Sequence, residues 1–167
     1  MIKERKSEYK IKSEIIQTKA ILNFFICDDD KIIANSIAKS LKKIKYQELG
    51  IIGLNSSYFV EVNTTVCING IDCIYEIYKD YKVGKKYSYL FIDEQMPGIY
   101  GSTTIKILKD MIAAKNLNNI KIYSITGYDD EEFEKTLKKF GCDGILTKPV
   151  SQASLESLFK DNKFDEL

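Results

Sequence analysis

The chain has 167 residues, a length that suits one domain with its own core. Its 25 basic and 24 acidic residues leave a net charge of +1, so no whole-molecule field directs it toward nucleic acid or an anionic membrane surface. With 44% hydrophobic and 29% charged residues it can bury a core beneath a polar surface, which excludes disordered and fibrous classes.

Residues 1–19 are rich in Lys and Glu with scattered Ile and read as a polar lead-in tail or short helix, too polar for a signal peptide. The domain proper is expected over residues 20–163, with 164–167 as a C-terminal tail. From Ala20 onward short apolar runs alternate with helical patterns, the signature of β/α units around a parallel sheet. Ile21 to Cys27 reads as a strand that stops abruptly at Asp28-Asp29-Asp30, and Ile33, Ile37, Leu41 and Ile44 then recur at helical spacing. Asp30 is placed to cap that helix.

Gly50 to Ser57 reads as a loop and Phe59 to Cys67 as the second strand. Asn69-Gly70 supplies turn chemistry before a helix whose inward residues are expected to be Ile74, Ile77, Tyr78 and Tyr81. Tyr89 to Ile92 is short and continuously apolar, as a strand buried on both faces should be, and it ends in Asp93. A helix with Ile105, Leu108, Met111 and Ile112 follows, and Ile120 to Ile125 forms a fourth strand running into Thr126-Gly127. Asp129 and Glu132 have capping-box spacing, opening a helix with Phe133, Leu137 and Phe140 on one face and Gly141 as its stop. Ile145 to Thr147 makes a fifth strand before Lys148-Pro149, and Ser151 to Lys160 closes the pattern as a helix with Leu155, Leu158 and Phe159 inward.

No apolar run approaches the roughly 20 residues of a membrane-spanning helix, so a cytoplasmic location is expected. Cys27, Cys67, Cys73 and Cys142 show no C-x-x-C spacing, and the chain has no histidine to complete a zinc site or a Cys/His nucleophile. Reduced, semi-buried thiols are expected. Without histidine there is also no internal phosphohistidine donor, so any phosphoryl group must come from another molecule.

In an open parallel sheet, ligands bind beyond the carboxyl ends of the strands, where strand order reverses. The polar exceptions to the apolar runs fall at those ends: Asp28, Asp29, Asp93, Thr126 and Lys148. Three carboxylates gathered together repel unless a hard cation neutralises them, and oxygen-only ligation favours Mg²⁺, with Mn²⁺ as a substitute. One lysine and one hydroxyl would then complement the oxygens of a phosphoryl group, whose transfer needs positioning and charge neutralisation more than covalent help. Taken singly, each residue reads as scaffold: a capping loop, a turn, a strand end, a surface lysine. Only their joint placement points to a site.

Asp28-Asp29 after an apolar strand, Asp93-Glu94-Gln95-Met96-Pro97-Gly98-Ile99-Tyr100-Gly101 in the pattern D-x-x-M-P-x-x-x-G, Thr126-Gly127, and Lys148-Pro149 occur in that order. Together they resemble the receiver domains of two-component response regulators, over about Ala20 to Phe159. The resemblance implies a flavodoxin-like, doubly wound, five-stranded parallel sheet of order 2-1-3-4-5 with five helices, and it raises the expectation of a cis bond before Pro149. It implies phosphorelay signal transduction, with Asp93 as the nucleophile that takes a phosphoryl group from a partner phosphohistidine and becomes an aspartyl phosphate. Asp29 and Asp93 would bind the metal directly, Asp28 through water and Gln95 through its backbone carbonyl. Thr126 and Lys148 would each hold a phosphoryl oxygen, Gly127 would leave room for approach, and Gln95 and Tyr128 would tune the lifetime of the phosphoryl group.

By the same resemblance the donor is a histidine kinase or a histidine phosphotransfer protein, the downstream protein is unknown, and neither nucleic acid nor a membrane is a partner. The chain would be no stand-alone enzyme, promoting only its own phosphorylation and dephosphorylation, either as a free-standing receiver or as the terminal receiver of a hybrid histidine kinase. Its output face would lie beside the fourth helix and fifth strand. Two positions depart from the pattern: Ile145 stands where receivers often carry a reporting aromatic, and Tyr100 where they often carry aspartate. Two rival readings remain. A phosphatase resembling the haloacid dehalogenase superfamily takes Asp28 and Asp30 as its D-x-D, but lacks an acidic pair after Lys148 and leaves Asp93 to Gly101 unexplained. A receiver-like binding module that no longer cycles phosphate keeps every residue named.

Overall fold

The structure is a computed structural model that describes residues 18–49, 58–86, 89–127 and 130–161. Strands and helices alternate throughout: β1 (Thr18–Cys27), α1 (Lys31–Lys43), β2 (Tyr58–Cys67), α2 (Gly70–Lys82), β3 (Tyr89–Asp93), α3 (Gly101–Ala113), β4 (Lys121–Thr126), α4 (Glu131–Lys139), β5 (Gly144–Thr147) and α5 (Gln152–Asp161). All neighbouring strands pair in parallel, in the order β2-β1-β3-β4-β5. This is the flavodoxin-like arrangement expected, and it reverses direction between β1 and β3, which opens a crevice at the carboxyl ends of those two strands.

The sheet is covered on both faces because its central strands are apolar on both. One face packs Phe24, Tyr89, Phe91 and Tyr123 against Ala34, Ile37 and Leu41 of α1 and Leu155 and Phe159 of α5. Phe24 stacks on Tyr89 with ring centroids 5.4 Å apart, while Phe159 meets Tyr89 edge-on at 5.3 Å, the arrangements that aromatic quadrupoles favour. Tyr46 closes this cluster and donates its hydroxyl to the Leu41 carbonyl at 2.9 Å, so the buried phenol keeps a partner. The other face packs Phe25, Leu90, Ile92 and Ile122 against Ile77 of α2, Ile105 and Leu108 of α3 and Leu137 of α4. All four cysteines are free and fully buried rather than semi-buried, and all four belong to this second face.

Several local expectations change. The first strand starts at Thr18, not Ile21, and pairs with β2 along its whole length but with β3 only from Phe24 onward. A two-stranded ribbon therefore extends past the sheet, held partly by an ion pair between Lys19 and Glu61. On α2, Tyr78 is 38% exposed, and Gly70, Cys73, Ile77 and Asp80 form the inward stripe. The cause is close approach at the helix start: a β-carbon on Gly70 would lie 2.1 Å from Thr104 Oγ1 of α3, so only glycine lets the helices meet and set that rotation. Asp80 is buried but pairs with Lys85 at 3.1 Å.

The cap of α4 is Asp130, whose side chain accepts from the Glu132 amide at 2.9 Å; Asp129 lies outside the described residues, as do the loop 50–57, the lead-in up to residue 17 and the tail 162–167. Asp30 caps α1 as expected, accepting from the Ile32 and Ile33 amides at 2.7 and 3.4 Å. Gly141, at φ +92°, follows the C-cap Phe140 and turns the chain out of α4. Among the described residues no helix is long and apolar enough to cross a membrane.

Because Phe159 joins α5 to three sheet aromatics, Phe159→Ala should cost roughly 3–5 kcal/mol, as truncation of a buried aromatic does. Equilibrium urea unfolding would read this as a lower midpoint. An unchanged midpoint would mean that α5 is not anchored through this ring.

Candidate functional site

The crevice is lined by residues that each end a strand or follow one directly. β1 delivers Asp28, whose amide donates to the Cys67 carbonyl of β2 at 3.1 Å and whose carboxylate accepts from the Asp30 amide at 2.9 Å. Asp28 is fully buried while its neighbour Asp29 is exposed, so the pair spans the wall and the mouth of the crevice. β3 ends in buried Asp93. Beyond β5, Lys148 places its ammonium 2.9 Å from Asp28 Oδ2 and 3.0 Å from Asp93 Oδ1. Its amide also donates to the Thr126 carbonyl at 2.8 Å, which ties β4 to the same edge, and the Lys148-Pro149 bond is cis.

Carboxylate oxygens of Asp28, Asp29 and Asp93 all lie within 4.8 Å of one another. Three carboxylates therefore gather around one ammonium that pairs with two of them, Asp28 and Asp93, and that shortage governs the electrostatics. Burial pushes the Asp93 carboxyl above the ordinary carboxylate range; Lys148 opposes this and the nearby charge of Asp28 adds to it. For Lys148 burial pulls downward, yet its hydrogen bonds and charge attraction to Asp28 and Asp93 outweigh it, and the ammonium is held more firmly than usual. One cation shared by two acids stays charged while Asp93 stays undercompensated. An all-oxygen donor set with excess negative charge and one exposed member fits a hard divalent cation.

Thr126 is buried at the end of β4, in register with Thr147. Gly127 is exposed, and a β-carbon there would meet nothing within 4 Å, so the approach past it is open. Gln95 is exposed two residues beyond Asp93, whereas Tyr128 lies outside the described residues. Ile145 is half-buried on β5 opposite Ser124, and Tyr100 is exposed at the N-cap of α3, where its side chain makes no capping bond.

Two residues of the D-x-x-M-P-x-x-x-G run to which the sequence assigned no role complete the surroundings. Glu94 is buried beside Asp93 and accepts from both the amide and the hydroxyl of Ser102, each at 2.8 Å. The Glu94 carbonyl accepts from the Gly101 amide at 3.0 Å, and a β-carbon on Gly101 would come within 2.2 Å of the Asp93 carbonyl oxygen. On the other side of the loop, Met96 is buried with its sulfur 3.4 Å from Cys27 Sγ. The available signal was a helix start at Gly101-Ser102 with no capping residue before it.

Comparison with known proteins adds a family and a fold. The family model for the response regulator receiver domain matches residues 68–160, which excludes Asp28 and Asp29; the parallel pairing of β1 beside β3 brings these two to the site. No curated protein matches the sequence. Among solved structures, a putative response regulator from Chloroflexus aurantiacus J-10-fl aligns with a TM-score of 0.60 and 22% identity, covering 85% of this chain and 97% of that one. Chemotaxis protein CheY4 of Vibrio cholerae aligns with a TM-score of 0.60 and 20% identity, covering 85% and 98%. The receiver domain of the response regulator Ssk1 from Saccharomyces cerevisiae, solved in complex with the histidine phosphotransfer signaling protein Ypd1, aligns with a TM-score of 0.62 and 19% identity, covering 84% and 87%.

The raised pKa of Asp93 has a definite sign in stability. Its contribution is present at low pH and is lost as pH rises through the folded value, so at neutral pH the ionised group weakens the metal-free fold. Asp93→Asn should therefore melt higher than the unaltered chain at neutral pH in chelator, with the gain fading as pH falls through the carboxylate range. Adding a divalent cation should narrow or reverse the difference. Thermal melts across that pH series check this, and an Asn variant that melts lower at neutral pH in chelator would contradict the electrostatic account.

Proposed function

The chain belongs to the response regulator receiver domain family, and from that we propose that it accepts a phosphoryl group on Asp93 from a phosphohistidine of a partner protein. The observation that carries this reading is the shared lysine: Lys148 sits 3.0 Å from Asp93 and 2.9 Å from Asp28, at the crevice where three carboxylates gather. Asp28, Asp29, Asp93 and the backbone carbonyl of Gln95 would hold Mg²⁺ or Mn²⁺, which when bound supplies charge neutralisation at the phosphoryl oxygens.

An Asp93 carboxylate oxygen attacks phosphorus in line with the P–N bond of the donor. The new O–P bond forms as the P–N bond breaks, and its electron pair leaves with the imidazole, which takes up a proton. With Asp93 converted to an acyl phosphate, Lys148 would exchange one carboxylate partner for a phosphoryl oxygen, and the hydroxyl of Thr126, at the end of β4, would hold another. Hydrolysis later returns phosphate and the free carboxylate, and Gln95 and Tyr128 would tune the lifetime. The open approach past Gly127 suits both the incoming donor and the attacking water.

These 167 residues contain no histidine, so the proposed phosphohistidine lies outside them, on a histidine kinase or a histidine phosphotransfer protein. The aligned yeast receiver was solved with a partner of the second kind, which supports that choice. Movement of Lys148 and Thr126 toward the new oxygens would bias the segment around α4 and β5, the output surface for a downstream protein. A cytoplasmic location accords with this chemistry.

Incubation with Mg²⁺ and acetyl phosphate should add one acid-stable, base-labile acyl phosphate, seen as a mass increase of one phosphoryl group. Asp93→Asn should abolish it, and Lys148→Ala should slow it by roughly 100-fold, the order expected when one preorganised charge partner is removed. No incorporation would favour the binding-module reading, and turnover of a phosphate ester untouched by Asp93→Asn would favour the phosphatase. Hydrogen exchange should then change over residues 130–150 on phosphorylation; an unaltered pattern there would place the output face elsewhere.

A further inference from the structure

We infer that Glu94 is a positioning residue, which clips the start of α3 to the end of β3 and so holds the Asp93–Gln95 segment in the geometry a cation needs. This rests on the reading of the acidic crevice as a cation site. The need for a clip begins with α3. The first turn of a helix leaves amides without intrahelical acceptors, and the Tyr100 side chain at the N-cap makes no capping bond. Glu94 supplies one from eight residues upstream in sequence: one carboxylate oxygen accepts from the Ser102 amide and the other from the Ser102 hydroxyl, both at 2.8 Å. A negative charge at a helix N-terminus is further favoured by the helix dipole.

This arrangement is costly enough to need a reason. Glu94 is only 8% exposed and lies directly beside another buried acid, where burial and the Asp93 charge both oppose ionisation. Its position is nevertheless reinforced from the backbone. The Gly101 amide donates to the Glu94 carbonyl at 3.0 Å, and Gly101 approaches the Asp93 carbonyl so closely that no β-carbon fits. Residues 93–94 and 101–102 thus close the loop like a clasp. Met96, fixed against Cys27, pins the loop from the opposite side. Gln95 lies between these two anchors, and its backbone has little freedom left. Glu94 is not among the acids whose oxygens converge in the crevice, so it acts on a cation only through its neighbours.

The test uses the full chain with Glu94→Ala, Glu94→Gln and Ser102→Ala, reading Mg²⁺ affinity by calorimetry and amide exchange at Gly101 and Ser102. Glu94→Ala should weaken Mg²⁺ binding roughly 10-fold, the lower end for loss of a group that orients metal ligands, and should expose both amides to exchange. Glu94→Gln should restore most of the affinity and protection, because its amide oxygen can still accept from the Ser102 amide while its NH₂ donates to the hydroxyl. Should the alanine variant misfold, Ser102→Ala removes one of the two bonds and should give a smaller loss in both readouts. A folded alanine variant with unchanged Mg²⁺ affinity would overturn the inference. So would a glutamine variant as weak as alanine, since the effect would then be one of charge. An unaltered chain that binds no Mg²⁺ would overturn the cation reading beneath it, and exchange at Gly101 and Ser102, measured without metal, tells that failure apart from failure of the clasp.

Discussion

Everything at the carboxyl edge of this sheet follows from placing three carboxylates within reach of one another beside a single lysine. Left to itself a chain would separate such charges, because like charges a few ångströms apart in a partly dry site repel by several kcal/mol at the effective dielectric of a protein surface. They stay together because their backbone positions are fixed by elements that bury both faces. Asp28 and Asp93 leave from paired strands whose preceding residues, Phe24 to Cys27 and Tyr89 to Ile92, are fully or almost fully excluded from water. The repulsion is stored at the edge, and the core bears it.

Lys148 is the hinge of that balance. It answers to two acids from one position, its backbone is tied to β4 through Thr126, and it follows a strand of only four residues. A change of charge at Asp93 therefore reaches the fourth and fifth strands through a single side chain, without passing through the aromatic layer on the α1 and α5 face. The same economy appears on the other side of Asp93. There Glu94 and Ser102 fix the loop beside the crevice, so the two flanks of Asp93 differ in kind: one is held by an ion pair, the other by hydrogen bonds to a helix start.

The alternation of strands and helices was legible because β3 and the second half of β1 are buried on both faces and end at an acid, so Ile92-Asp93 or Cys27-Asp28 marks a boundary without help from the rest of the chain. That Asp28, Asp29, Asp93 and Lys148 would meet could also be read from their places at strand ends. What could not be read depends on partners far away in sequence. Lys19 looks like part of a polar lead-in until Glu61 is found across the ribbon, and the rotation of α2 is set by Thr104 pressing on Gly70. Two adjacent aspartates offered equal capping chemistry for α4, and Asp130 accepts the bond. Glu94 carries no periodic signal at all, since its meaning lies in a helix start eight residues on.

With Ile145 on β5 in place of an aromatic, the proposed output would depend on how firmly α4 is anchored. Among its own residues α4 buries only Leu137, whereas α1 buries four, Ala34, Ile37, Ala38 and Leu41. Burial of one leucine is worth roughly 2–3 kcal/mol and Phe133 packs only partly against the core, so less burial holds this helix than holds α1. Its surface pairs, Glu131 with Lys135 and Glu134 with Lys138, are internal to the helix and travel with it. On β4, opposite Ile145, the Ser124 hydroxyl is buried without a partner among the described residues, which carries a penalty. A helix held by so little buried surface would have other arrangements not far above it in free energy. The proposed signal from Asp93 then needs to tip that small difference, and no ring has to turn for it to do so.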